Sequence, residues 1–188
     1  MTERVIRASF LALLIAAPGL SSFAQDIQPR THAIGAELGF LSVPFDREDP
    51  YSFAALAGLW YDWRPGPQGR FGLGLWADAA GFSPLNPLFG YSFMATGGLD
   101  VNWLMPVLDA DTAWAGLGPF VRAGWYLRYV SLLGSDEWLS RPYMAGGLRF
   151  MLYQGKSMVV GMDAQVVLPI DRTVPVLVAL IQRFGLCF

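Results

Sequence analysis

The sequence predicts an all-β fold, an eight-stranded antiparallel up-and-down transmembrane β-barrel. From Gly90 to Trp103, alternate residues are mostly apolar, such as Phe93 and Leu99, while those between them are mostly small or polar, such as Thr96. This period of two is typical of strands, and it returns in seven further segments. The chain is 54% hydrophobic, yet beyond its first 25 residues it holds no run of about 18 apolar residues, which excludes membrane-spanning helices. A closed barrel in lipid fits both observations, because its exterior is apolar and its backbone groups pair internally.

The first four strands are predicted where this alternation is bounded by residues that form turns or loops. In the first strand, Leu38 lies on the apolar face and Glu37 on the opposite one. The second strand ends at the segment 64–69, RPGPQG, whose prolines and glycines predict a tight turn. The third strand places Leu75 outward and Trp76 inward. The four ranges are 31–41, 51–63, 70–81 and 90–103.

The last four strands follow the same rule. The fifth places Trp125 on the apolar face and Arg122 on the other, after a predicted turn at 108–111. A second turn, QGK at 154–156, separates the sixth strand from the seventh. The four ranges are 112–129, 143–153, 157–168 and 174–188.

The connections alternate in length along the chain. Those after the second, fourth and sixth strands are short, whereas 43–50, 82–88 and 130–141 are longer. Outer-membrane barrels have short turns at the periplasmic end and longer loops outside, so we expect this orientation here.

Parity alone does not decide which face is inside, since a soluble lipocalin-like barrel would invert the assignment. The polar face is mostly glycine, alanine and serine, which cannot form a soluble exterior, and Lys156 is the only lysine of the chain. Aromatic residues also concentrate near strand ends, as in the girdles of membrane barrels. The predicted girdle comprises Tyr61, Trp63, Phe71, Tyr91, Trp103, Trp125, Tyr129 and Tyr153. Both features favour the membrane barrel.

Residues 1–24 have the features of an export signal rather than of a strand. Arg4 and Arg7 precede an apolar segment, and Ser22 and Ala24 offer a cleavage site of small residues. An N-terminal membrane anchor is the alternative. We therefore predict a signal peptide at 1–24, a barrel at 25–188, and a location in the outer membrane of a diderm bacterium.

Charge and cysteine content exclude several other classes of protein. Removing Arg4, Arg7 and Glu3 with the signal leaves 11 basic and 14 acidic residues from 13 and 15. This acidic balance without a basic patch excludes nucleic acid as a partner. Cys187 is the only cysteine, so an internal disulfide is excluded.

The last strand resembles that of bacterial outer-membrane proteins, with Leu180, Gln182, Phe184, Leu186 and Phe188 on one face. The resemblance implies that Phe184, Leu186 and Phe188 form a signal read by the barrel assembly machinery. Size and strand number are similar to those of the small barrels of the OmpA, OmpX and OmpW type, without a periplasmic domain. The resemblance thus implies outer-membrane lipid and the assembly machinery as partners, and a porin-like barrel.

Nearly all charged residues within the strands point inward by parity. An eight-stranded barrel is only wide enough for side chains to fill its lumen, so buried charges must be paired. We expect Glu37 to pair with Arg122, and Asp163 with Arg183 or Arg149. A narrow, gated path for ions is the alternative. The predicted lumen charges are Glu37, Asp62, Asp78, Asp100, Arg122, Arg128, Arg149, Asp163 and Arg183.

Catalysis is disfavoured by the residues available. His32 is the only histidine and lies at the expected start of the first strand, and one histidine with one cysteine cannot form a zinc site. We therefore expect neither enzyme activity nor a cofactor or metal. The leading interpretation is a non-enzymatic barrel with a structural or surface-interaction role, and the alternative is a narrow channel for ions or small solutes.

The third long loop, 130–141, is the best candidate for contact with a surface partner of unknown identity. Exposed apolar residues in a loop mark interaction sites, although the same side chains could instead fold back on the rim. These residues are Leu132, Leu133, Trp138 and Leu139.

Two residues do not fit the pattern. Pro119 lies within the fifth strand, where a missing N–H matters and a bulge would accommodate it. Gln182 faces lipid by parity, which would require a local change of register.

Overall fold

The computed structural model describes residues 31–42, 53–65, 69–82, 91–110, 113–132, 135–155, 157–170 and 176–188. The predicted signal peptide, the loop 43–50 and nearly all of the loop 82–88 lie outside these residues. The boundary between signal and barrel therefore stays a prediction.

The described residues form nine strand segments and no helix. Consequently, none of them belongs to a helix that could cross a membrane. The segments are β1 (His32–Ser42), β2 (Phe53–Trp63), β3 (Phe71–Phe82), β4 (Tyr91–Trp103), β5 (Met105–Ala110), β6 (Ala113–Leu132), β7 (Ser135–Gln154), β8 (Met158–Pro169) and β9 (Leu177–Cys187).

The segments form a closed antiparallel barrel of eight strands. Neighbours follow the order β4-β3-β2-β1-β9-β8-β7-β6-β5, and a further pairing of β4 with β6 closes the ring. Both β4 and β5 pair with β6 and are separated only by Leu104, so they act as one interrupted strand. The predicted fold class is confirmed in architecture, including the join between first and last strands, β1 and β9.

Side chains alternate between the exterior and a packed lumen. On β1, Leu38 is 56% exposed whereas its neighbour Glu37 is 0% exposed. Tyr153, predicted in the aromatic girdle, is instead buried in the lumen. It lies four residues after the inward-facing Arg149, so its parity, rather than its place at a strand end, determines where it points.

Parts of two segments that the sequence predicts as connections belong to strands in the structure. Of the turn predicted at 108–111, residues 108–110 belong instead to β5, which extends through Ala110. The loop predicted at 130–141 is largely the tip of a long hairpin, because β6 reaches Leu132 and β7 begins at Ser135. Pairing continues through this part, with the rings of Tyr129 and Trp138 4.9 Å apart. We call this end of the barrel the hairpin end, and the end with His32 and Cys187 the turn end.

The interruption at Leu104 coincides with Pro119. The pairing of β6 with β4 ends at Asn102 and Phe120, and the pairing with β5 begins at Met105 and Leu117. The register is the same on both sides of Leu104, so the ladder is interrupted where Pro119 supplies no N–H. On the side of β3, the Leu104 N–H donates to the carbonyl of Arg70 at 2.7 Å.

Gln182 lies on the exterior and is partly exposed. The registers of β9 with β1 and with β8 are continuous through it, opposite Leu38 and Met162. The expected change of register is therefore absent, and Gln182 is a polar side chain in an apolar wall.

The lumen has three layers. The middle layer holds charged side chains, and an apolar layer lies at each end. Towards the hairpin end the layer comprises Leu41, Leu56, Met94, Val167 and Leu177, and towards the turn end it comprises Leu104, Trp114, Met151, Val159 and Cys187. Buried apolar side chains thus flank the charged layer on both sides.

Candidate functional site

The charged layer is assembled from strands all around the barrel. With Asp62 on β2, each of the eight barrel strands contributes one buried, inward-facing charged group. The other seven are Glu37, Asp78, Asp100, Arg122, Arg149, Asp163 and Arg183, and all are at most 6% exposed. Strand alternation alone brings these residues to one enclosed volume.

Arg149 is the most completely paired of the three central arginines. Its Nε and Nη2 donate to the two carboxylate oxygens of Asp163 at 2.9 and 3.0 Å. Its Nη1 and Nη2 donate to the two oxygens of Asp100 at 3.0 and 2.9 Å. The planar guanidinium thus forms two bidentate contacts, an arrangement that lysine cannot reproduce.

Arg183 and Arg122 both contact Glu37 Oε2 and Asp163 Oδ2. Arg183 contacts Asp163 through Nε and Glu37 Oε2 through Nη2, both at 3.0 Å. Arg122 lies 3.3 Å from Glu37 Oε2 and 3.4 Å from Asp163 Oδ2. The structure therefore brings together the residues that the sequence paired, and both alternatives for Asp163 are present at once.

Aromatic rings line the central arginines. The Arg149 guanidinium carbon lies 4.5 Å from the ring centre of Phe120. Arg122 lies 4.9 Å from that of Trp76, and Arg183 5.2 Å from that of Trp60. Each ring covers a guanidinium face and attracts the cation.

A second group lies between the central cluster and the turn end, around the buried Arg64. Arg64 contacts Asp62 at 2.7 Å, Asn102 at 2.8 Å and the Tyr153 hydroxyl at 2.7 Å. Asn102 in turn donates to Asp100 at 3.3 Å, which joins the two groups. Sequence reasoning missed Arg64 because it assigned the residue to a turn. The inward parity of Asp62, two residues earlier, was the signal that could have found it.

Two predicted sets lie outside the charged layer. Arg128 faces the lumen by parity but is partly exposed near the hairpin end, so it does not belong to the buried cluster. Phe184, Leu186 and Phe188 lie on the exterior, and their role as an assembly signal stays a prediction.

His32 joins the two ends of the described chain. Its ring stacks on that of Phe188, and its Nδ1 lies 2.7 Å from the Tyr61 hydroxyl. The backbone N–H of His32 donates to the Phe188 carbonyl at 3.2 Å. Within the described ranges, no group of three or more His, Cys, Asp or Glu is arranged to hold a metal ion.

At the hairpin, Trp138 is 62% exposed, whereas Leu139 packs partly against the core. Leu132 ends β6, and Leu133 lies outside the described residues. Of the four residues predicted to contact a partner, Trp138 is the one whose side chain is accessible in the described part.

Comparison with solved structures identifies the fold. Ail, the attachment invasion locus protein of Yersinia pestis, aligns with a TM-score of 0.58 at 11% identity, over 85% of this chain and 99% of that one. The chain shares the fold of the small eight-stranded barrels. Ail in complex with the heparin analogue sucrose octasulfate gives a TM-score of 0.56 at 12% identity, over 85% and 99% of the chains. The N-terminal β-barrel domain of Pseudomonas aeruginosa OprF gives 0.49 at 12% identity, over 84% and 99%.

No known sequence family matches this chain. No curated protein matches it either.

Proposed function

We propose that this protein is a non-enzymatic, integral outer-membrane barrel with a closed lumen and a structural or surface-interaction role. The apolar exterior supports residence in a membrane. Along β1–β4, β8 and β9, no described outward-facing residue is Asp, Glu, Lys or Arg. Lipid is the solvent that suits such a wall, and the proposed export signal would deliver the chain to the outer membrane.

The observation that carries the closed lumen is its layering. A conducting path needs polar groups or water along its whole length. Here the ion cluster is bounded by Leu41 and Leu56 on one side and by Leu104 and Met151 on the other, all at most 5% exposed. The charges therefore act in packing and pairing rather than in transport.

Conductance across a planar bilayer tests this proposal. We expect the refolded protein, checked by heat-modifiable gel mobility, to leave the membrane silent. Leu127→Ala, which alters only the exterior, is the matched control and stays silent. Discrete openings in the unmodified protein that change in Arg122→Ala would overturn the proposal.

A narrow channel is the second candidate, and one observation favours it. Buried polar atoms without a hydrogen-bond partner include Nε and Nη1 of Arg122 and Oε1 of Gln165. Such atoms are sites where water enters a lumen. In this case the conductance experiment gives openings whose size depends on Arg122.

We propose the β6–β7 hairpin as the surface for a partner. Its described part carries the exposed Trp138 beside Glu137 and Arg141. Because acidic and basic residues are mixed there, it offers no basic cluster for a polyanion of the kind bound in the Ail complex. The partner surface is therefore the exposed indole and its neighbours.

Tryptophan fluorescence tests whether Trp138 meets water or lipid. The fluorescence of Trp138 is obtained by subtracting the spectrum of Trp138→Phe. If this residue belongs to a partner surface, aqueous acrylamide should quench that fluorescence. Trp125→Phe, on the apolar exterior, provides the comparison and should report quenching by brominated lipid. Quenching of Trp138 by brominated lipid would instead make it a rim anchor.

A further inference from the structure

The buried charges of the lumen do not balance. Among the described residues, five buried carboxylates face four buried guanidiniums. The carboxylates are Glu37, Asp62, Asp78, Asp100 and Asp163, and the guanidiniums are Arg64, Arg122, Arg149 and Arg183. Four of the carboxylates lie within 3.0 Å of a guanidinium nitrogen, whereas Asp78 comes no closer than 3.8 Å, to Arg122. Asp78 is therefore the surplus carboxylate.

Asp78 lies beside Glu37 because Gly58 stands between them. Glu37 and Asp78 are both register partners of Gly58, on its two sides. The space over Gly58 is filled by Asp78 Oδ1, which a Cβ at position 58 would strike. Asp78 Oδ1 thus leans over Gly58 towards β1, which carries Glu37, and each carboxyl group adds to the electrostatic surroundings of the other.

Each carboxyl group has one oxygen without a donor. These oxygens are Glu37 Oε1 and Asp78 Oδ1, and both are buried. Two adjacent buried carboxylates do not both ionise, since like charges raise the cost of the second ionisation. One proton between them would supply the missing donor.

We propose that Glu37 and Asp78 form a proton-binding site in the lumen, holding one shared proton at neutral pH. The proton comes from solvent water and forms one O–H bond, with no other bond made or broken. Binding it equalises the negative and positive charges of the buried layer.

The surroundings place the proton on Asp78. Glu37 Oε2 lies 3.0 Å from Arg183 Nη2 and accepts from Arg122 Nη2 at 3.3 Å, whereas Asp78 comes no closer than 3.8 Å to a guanidinium nitrogen. The other buried charged or titratable groups of the central lumen are Asp100 on β4, Tyr126 on β6, Tyr143 and Arg149 on β7, and Asp163 on β8. On β2 the facing residue is Gly58. Asp78 then donates to Glu37 Oε1.

Infrared spectroscopy of the folded barrel in micelles tests the site. We expect a protonated-carboxyl C=O band at neutral pH, sensitive to exchange into D₂O. The band disappears in Asp78→Asn, whose amide N–H can replace the donated bond and keep the barrel folded. It persists in Asp62→Asn, the matched control at an ion-paired carboxylate. Absence of the band, or its persistence in Asp78→Asn, overturns the proposal.

A titration of the unmodified protein keeps the test decisive if a variant fails to fold. Raising the pH removes the proton and leaves two adjacent carboxylates, so the band and the urea midpoint of unfolding should fall together. A bound monovalent cation in place of the proton would give no band and a midpoint that rises with NaCl or KCl, which contradicts the proposal.

Discussion

Arg149 shows how a buried charge becomes part of a stable core. It is 0% exposed, and its three nitrogens contact Asp100 and Asp163 at 2.9 to 3.0 Å. Desolvating such ions costs several kcal/mol each, by order of magnitude, and only near-complete pairing offsets this cost. Removing one member of a buried ion pair therefore destabilises the fold more than replacing both members with apolar residues does.

At the residue scale we predict that Arg149→Ala lowers the free energy of unfolding by about 3–5 kcal/mol, since it leaves two buried aspartates without their bidentate partner. The measurement is a urea titration of the refolded barrel in micelles. Leu148→Ala, the adjacent outward-facing residue, is the control and should change the free energy by less than about 1 kcal/mol. Equal losses of unfolding free energy in both variants would mean that Arg149 contributes no more to stability than an outward-facing leucine.

Among the elements, the interrupted pair β4 and β5 has the clearest local consequence. Pro119 lies opposite the gap between β4, which ends at Trp103, and β5, which begins at Met105. Ala123 has the same parity as Pro119, so its N–H faces the same neighbouring strand, but there the partner, Leu99 on β4, is continuous.

We predict that Ala123→Pro lowers the free energy of unfolding by about 1–3 kcal/mol, because it removes a ladder donor and leaves a buried carbonyl unpaired. Pro119→Ala is the matched control and should have little effect, since the ladder is already broken there. Urea titration and the folded fraction on heat-modifiable gels measure both. If the two substitutions cost the same, the interruption is not what accommodates proline.

Sequence reasoning could predict the number of barrel strands, their faces and most of the charged layer, because a period of two places every second residue in the lumen. It was wrong for Tyr153, which was judged by its place near a strand end. It missed Arg64, which follows β2 with inward parity. Whether a segment such as 130–141 continues as paired strands depends on the partner strand across the hairpin, and alternation within one segment does not contain that information.

At the scale of the whole molecule, the two halves of the barrel carry opposite lumen charge. Strands β1–β4 and the residue after β2 contribute four carboxylates and one guanidinium, Glu37, Asp62, Asp78, Asp100 and Arg64. Strands β6–β9 contribute three guanidiniums and one carboxylate, Arg122, Arg149, Arg183 and Asp163. The halves are therefore complementary, and closing the ring brings them together.

We predict that a chain cut between residues 111 and 112 reassembles from its two fragments when they are refolded together in micelles. The opposite lumen charges and the β4–β6 and β1–β9 pairings favour association. Recovery of the heat-modifiable species measures it. Arg149→Ala in the second fragment should reduce the yield, whereas Leu148→Ala should not. Equal yields would show that backbone pairing alone drives the association.

The burial of the ion cluster also determines how the barrel responds to dissolved salt. Counter-ions weaken attraction between exposed charges over roughly 10 Å at 0.1 M ionic strength, but they weaken enclosed pairs much less. Layers such as Leu41 with Leu56 and Leu104 with Met151 keep those ions away from the arginines and aspartates. The network therefore retains its strength at low and at high salt concentration alike.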